Sequence, residues 1–134
     1  MSWMNVAGIL LWTGSGAVLL FVLMAVDSLF TRYKDIEEIK QGNMAVTTRF
    51  VMKLFAQGYI LSRSILTSNN LLEALVVSIV SFIILLALEL LIRLIFAKGM
   101  QLNLDEGTKQ GKIGYGLIAG TLHIVGALVI AACL

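Results

Sequence analysis

The chain of 134 residues has little charge, no proline, and one residue each of cysteine and histidine. Charged side chains make up 13% of it, against about 25% in soluble domains. So little charge cannot cover the surface of a soluble domain, and the composition also excludes a disordered chain. The net charge of +2 gives no reason to expect a nucleic-acid partner. The sequence predicts a membrane protein whose partner is the lipid bilayer.

The same absences argue against an enzyme. The lone Cys133 cannot form an intrachain disulfide and has no metal-ligand spacing around it. The lone His123 excludes haem ligation by two histidines of one chain. There is no phosphate-binding loop, nucleophile elbow or paired-carboxylate motif. We therefore expect no catalytic residue, no cofactor and no metal site.

What the chain does contain is long apolar runs. A membrane-spanning helix needs about 20 residues, and the absence of proline favours unbroken helices. The runs predict an all-α membrane domain over residues 1–134, with hairpins at 1–66 and 67–134. Its four predicted spans are Met4–Phe30, Met44–Leu66, Leu71–Phe96 and Ile113–Leu134.

Basic residues cluster in two of the three predicted loops. The first and third loops hold Arg32, Lys34, Lys40, Lys98, Lys109 and Lys112, whereas only Arg63 lies near the second. Because cytoplasmic loops are enriched in Lys and Arg, both termini are predicted on the outer, periplasmic side. The basic loops also contain acidic residues, and they are either solvated connections or a docking site for a cytoplasmic partner.

A short motif occurs twice. KQGN at Lys40–Asn43 returns as KQGK at Lys109–Lys112, and each copy follows a long span and an acidic loop. Two spans per copy predict a parallel repeat of two hairpins. Gly42 supplies backbone freedom in the loop, and Asn43 is expected to cap the second span. Lys112 cannot cap by the same bond.

The loop Ile39–Ala45, and the last span with Gly126 followed by Ala131-Ala132-Cys133, resemble signatures of the YjfL-like family. Its members are small bacterial inner-membrane proteins catalogued as domain of unknown function 350. The resemblance implies two hairpins, an inner-membrane location and a link to envelope stress, and it assigns no activity. Where the second copy in the family tends to carry Asn and Ala, this chain has Lys112 and Gly114.

Charged side chains within the spans are the sharpest functional signal. Arg49, Lys53 and Gln57 recur every four residues and form one polar stripe on the second span, with Arg63 close to the same face. A charge at the bilayer centre costs at least about 2.5 to 3.5 kcal/mol. The stripe is therefore expected to face a bundle interior, a subunit interface or a water-filled path.

Helix rise places further charges at a similar depth. The residues expected to form one cluster are Asp27, Arg49, Lys53, Glu89 and Arg93. Three interpretations stay open: the cations reach lipid headgroups, the charges pair between helices, or they line a path for ions, protons or polyamines. His123, near the middle of the fourth span, either hydrogen-bonds across a helix contact or handles a proton.

Glycines of the fourth span, Gly114, Gly116, Gly120 and Gly126, favour close helix packing and suggest a homo-oligomer or a larger membrane complex. The first functional hypothesis is therefore a non-enzymatic oligomeric scaffold or accessory subunit of the inner membrane. The alternative is a small ion channel or transporter whose path follows the polar stripe.

Overall fold

The structure, a computed structural model, describes residues 3–31 and 33–134. Arg32, counted above among the basic loop residues, lies outside the described residues. No strand occurs in the described part of the chain, so the all-α prediction is confirmed. The helices are α1 (Trp3–Ser28), α2 (Asp35–Lys40), α3 (Met44–Thr67), α4 (Leu71–Gly99), α5 (Leu104–Lys109) and α6 (Ile113–Cys133).

Three of these helices, α1, α4 and α6, are long and apolar enough to cross a membrane. The fourth long helix, α3, is less apolar because it carries Arg49, Lys53 and Arg63. Helix ends follow the local sequence. Asn43 caps α3 by accepting a hydrogen bond from the Val46 N–H at 3.2 Å, as predicted. Lys112 precedes α6 without a side-chain cap, also as predicted.

The two short helices each end in a turn of the same kind. α2 and α5 start at residues 35 and 104, and α3 and α6 start at 44 and 113, an offset of 69 in both cases. Gly42 and Gly111 both have a φ of +84°, a conformation that glycine adopts without strain. The Asn43 side chain joins the two turns, because its Nδ2 donates to the carbonyl of Lys109 at 2.9 Å.

The glycines of α6 allow close packing inside the chain. A Cβ added at Gly116 would lie 2.4 Å from the carbonyl oxygen of Ala45, and one at Gly120 would lie 2.5 Å from the sulfur of Met52. Gly126 similarly faces Leu85 of α4, whereas Gly114 has open space around it. Three of the four predicted packing glycines are therefore used between helices of one chain.

The interior holds many polar side chains beside its apolar ones, and the exterior is largely apolar. Leu85 of α4 belongs to a small apolar core with Ala56, Ile60 and Ala127, whereas charged and hydroxyl side chains fill much of the remaining interior. Large apolar side chains such as Phe21 (82% exposed) and Leu72 (72%) lie on the outside. This distribution suits a protein whose surrounding solvent is lipid.

Candidate functional site: a buried charge cluster

Five helices contribute charged side chains to one interior site. The charge cluster consists of Asp27 of α1, Arg49 and Lys53 of α3, Glu89 and Arg93 of α4, Asp105 of α5 and His123 of α6. The four-residue spacing on α3 turns Arg49 and Lys53 to the same buried face. Charges that lie far apart along the chain thus meet at one end of the helices.

Arg49 is the centre of the cluster and is 1% exposed. Its Nη1 donates to Asp105 Oδ1 at 2.7 Å and to the Tyr33 hydroxyl at 2.9 Å. Its Nη2 donates to Glu89 Oε1 at 2.9 Å. The planar guanidinium therefore joins α4, α5 and the segment before α2 at once, which the single ammonium of a lysine could not do.

Lys53, one turn further along α3, is 2% exposed and pairs with α1. Its Nζ donates to Asp27 Oδ2 at 2.5 Å and lies 3.6 Å from Glu89 Oε1. Arg49 and Lys53 are therefore both buried and paired, and they do not extend towards lipid headgroups. The other oxygen of Asp27, Oδ1, has no hydrogen-bond partner among the described residues.

Arg93 closes the cluster at its edge, where its side chain is 13% exposed. Its Nη1 donates to Asp105 Oδ2 at 2.7 Å and to the Phe30 carbonyl at 3.1 Å. Asp105 thus accepts from Arg93 with one oxygen and from Arg49 with the other. Arg93 and Glu89, the pair expected from their four-residue spacing, lie at a looser 4.0 Å.

His123 contacts the same carboxylate from α6. Its Nδ1 lies 3.2 Å from Glu89 Oε2, and the imidazole is 2% exposed. Glu89 therefore faces two cations of α3 with one oxygen and a histidine with the other. Beside this contact is a cavity of about 10 Å³, lined by Arg49, Glu89, Arg93 and His123 together with six apolar side chains of α4, α5 and α6. Such a volume holds about one water.

Tyr33 and Asp35 border the cluster outside the long helices. Burial raises the pKa of the Tyr33 phenol, although Arg49 beside it acts in the opposite direction. Burial also raises the pKa of Asp35, while the hydrogen bond from the Ser28 hydroxyl, at 2.7 Å, lowers it. Both side chains are buried near the start of α2, so the short helix is held against the cluster.

Other predicted residues lie away from the ion pairs. Gln57 continues the buried face of α3, and neither its amide nitrogen nor its amide oxygen has a partner among the described residues. Arg63 is half-buried towards the other end of α3 and joins no ion pair in the part of the chain described. Gly42 and Asn43 lie in the turn between α2 and α3.

Sequence reasoning missed Asp105, Tyr33 and Asp35. One signal pointed to a missing acid: the predicted cluster held three cations, Arg49, Lys53 and Arg93, but only two carboxylates. Since a buried cation needs a partner, a third carboxylate was required. Its identity depended on how α5 docks, which no local pattern reveals.

The cluster is suited to holding helices together. Removing one partner of a buried ion pair leaves an uncompensated charge and typically costs about 3–5 kcal/mol. Its carboxylates face cations, and no group of three or more potential ligands for a metal ion converges within residues 3–31 and 33–134. The geometry therefore offers paired charges and one histidine–carboxylate contact.

Comparison with known proteins identifies the family. The model of the family described as Domain of Unknown Function (DUF350) matches residues 1–134, the whole chain, and the chain belongs to this family. The resemblance seen in the loop and in the last helix is thereby confirmed. No curated protein and no solved structure matches the chain.

Proposed function

We propose that this member of the DUF350 family is a non-enzymatic subunit of a bacterial inner-membrane assembly. It acts as an oligomeric scaffold or accessory subunit in the response to envelope stress. The observation that carries the proposal is a contrast within the bundle. The charge cluster ties α1, α3, α4, α5 and α6 together internally, while α1 keeps most of its side chains exposed.

The proposed topology has four spans, with α3 as the fourth. Its two most deeply placed cations are turned inward and paired, so a lipid-facing charge is avoided. Both termini are proposed to be periplasmic. The constant 69-residue offset of the element starts and the matching turns at Gly42 and Gly111 support a parallel repeat of two hairpins.

We place the assembly surface on α1. Gly8 and Gly14 of this helix have open space where a Cβ would lie, so a neighbouring helix can approach closely there. Shallow apolar grooves flank the helix on both sides, one including Gly14 and Leu75, the other Gly16 and Leu61. By contrast, the space beside Gly116 and Gly120 is already occupied by Ala45 and Met52 of the same chain.

Native mass spectrometry of the protein in nanodiscs tests this proposal. The wild type is expected to form a defined oligomer, and Gly14→Leu is expected to dissociate it without loss of helicity. Ala87→Leu, on an exposed part of α4, is the matched control and should leave the oligomer intact. A wild-type protein that stays monomeric at every concentration contradicts the scaffold.

One observation favours a second candidate, a small channel or transporter. The Gln57 amide and the Ser78 hydroxyl are buried on α3 and α4 without hydrogen-bond partners among the described residues. Unpaired buried polar groups in a membrane bundle are typical of hydrated paths. Ion flux into liposomes that disappears in Gln57→Leu but persists in Phe55→Leu, an exposed control, would favour this candidate. Absence of flux from the wild type rejects it.

A further inference from the structure

The two copies of the KQG motif lie side by side at one end of the bundle. The first turn, at residues 40–42, follows α2, and the second, at residues 109–111, follows α5. Asn43 joins them, because its Nδ2 donates to the Lys109 carbonyl at 2.9 Å and to the Thr108 carbonyl at 3.3 Å. The tertiary structure thus makes one surface out of two motifs that lie far apart along the chain.

This surface carries three exposed lysines without ion-pair partners. The turn lysines are Lys40, Lys109 and Lys112. None of them forms an ion pair within residues 3–31 and 33–134. Their acidic neighbours accept hydrogen bonds from neutral amides instead. Glu38 accepts from Asn43 at 3.2 Å, and Glu106 accepts from Gln110 at the same distance. The three ammonium groups are therefore available to an external anion.

Apolar side chains begin directly beside the turn lysines. Met44 and Ile113, the first residues of α3 and α6, are 58% and 50% exposed. Lys112 immediately precedes α6, one of the three helices apolar enough to cross a membrane. Its Nζ lies 5.4 Å from the centre of the Tyr115 ring. A lysine and a tyrosine at the end of an apolar span are typical of the headgroup layer, where the ammonium group reaches the lipid phosphates.

We propose that the two joined turns bind the headgroup of an anionic phospholipid. The turn lysines contact the phosphate, and the side chains of Met44 and Ile113 contact the acyl chains. A soluble anion would leave those apolar side chains in water, so the pattern favours a lipid. A zwitterionic headgroup is disfavoured because its own cation repels the lysines. The site involves one chain and its lipid, so the inference goes beyond the scaffold role and does not depend on oligomerisation.

Native mass spectrometry of the protein in detergent, with phosphatidylglycerol or phosphatidylcholine added, tests the proposal. The wild type is expected to bind phosphatidylglycerol more tightly. A basic residue near the membrane surface contributes about fivefold to the affinity for anionic lipid, so Lys109→Gln/Lys112→Gln should lower the phosphatidylglycerol affinity about 25-fold. The phosphatidylcholine affinity should not change. A wild type that binds both lipids equally overturns the proposal.

The matched control removes the same charge from elsewhere. Lys34→Gln/Lys98→Gln replaces two exposed lysines outside the turns and should bind phosphatidylglycerol like the wild type. If both double variants lose affinity equally, net charge attracts the lipid and the proposed site is wrong. An excess of inorganic phosphate should leave the lipid bound, and displacement by phosphate alone would also overturn the proposal. All four side chains are exposed, so both variants are expected to keep the helicity of the wild type, which circular dichroism checks.

Discussion

The pair formed by Lys53 and Asp27 is expected to be the strongest link between α1 and the other helices. Lys53→Met leaves the buried Asp27 carboxylate without a cation, because Oδ2 loses its contact and Oδ1 has no partner among the described residues. Breaking such a pair typically costs about 3–5 kcal/mol. Replacing both residues with apolar ones, in Asp27→Leu/Lys53→Met, removes the buried charge as well and should recover at least about 2 kcal/mol of the summed single losses.

The assay is unfolding of the purified protein in mild detergent by added dodecyl sulfate, followed by circular dichroism. Four proteins, the wild type, both single variants and the double variant, complete the cycle. The surface pair of Lys34 and Glu37, 3.7 Å apart and mostly exposed, supplies the control. Lys34→Met should leave the midpoint unchanged, because exposed pairs contribute little. A coupling below about 0.5 kcal/mol between positions 27 and 53 would refute the reasoning.

Three further predictions concern packing, pH dependence and the loops. Gly116→Ala should lower the free energy of unfolding by about 1–3 kcal/mol because the new Cβ meets backbone, whereas Gly114→Ala has open space and should not, as the same unfolding assay will show. Burial raises the pKa of Asp35, so the stability contributed by its protonated form is full below the unfolded value of about 3.9 and is lost as the pH rises through the folded value. Asp35→Asn has no carboxyl to ionise, so it should have a larger free energy of unfolding than the wild type at neutral pH, and the two values should converge at low pH. If the difference between them widens on acidification, the prediction is contradicted. Asn43→Ala should lose the helix cap and the link to the other turn, at a cost of about 1–2 kcal/mol, while Lys112→Asn should gain a cap and raise the midpoint.

Several features of the fold follow from local patterns. The apolar runs predicted the four long helices, with starts at 44, 71 and 113 that agree with the structure. The stripe of Arg49, Lys53 and Gln57 predicted a buried face of α3, because 100° per residue fixes which side chains share a side. The cap by Asn43 was readable for the same reason, since it depends only on residues three apart.

Which side chains would form ion pairs with one another was less predictable. The cluster expected from helix rise and depth meets in the structure, yet one of the two carboxylates that pair with Arg49 is Asp105, which is 56 residues from Arg49 and lies on α5. Residues in short polar loops look alike in sequence, so nothing distinguished Asp105 from its exposed neighbour Glu106. No sequence pattern indicated that Gly114 has open space around it whereas Gly116 lies against the backbone of Ala45.

The sequence by itself determined that the protein is surrounded by lipid and which side chains share a face of a helix. A 13% share of charge and long apolar runs specify lipid, and the four-residue spacing specifies a buried stripe. Only the tertiary structure decided that Arg49 joins Asp105 and Glu89, and that His123 faces the free oxygen of that glutamate. The physical reason is range: periodicity is set by the geometry of one helix, whereas ion pairing depends on how neighbouring helices are rotated and shifted by contacts such as that of Gly116 with Ala45.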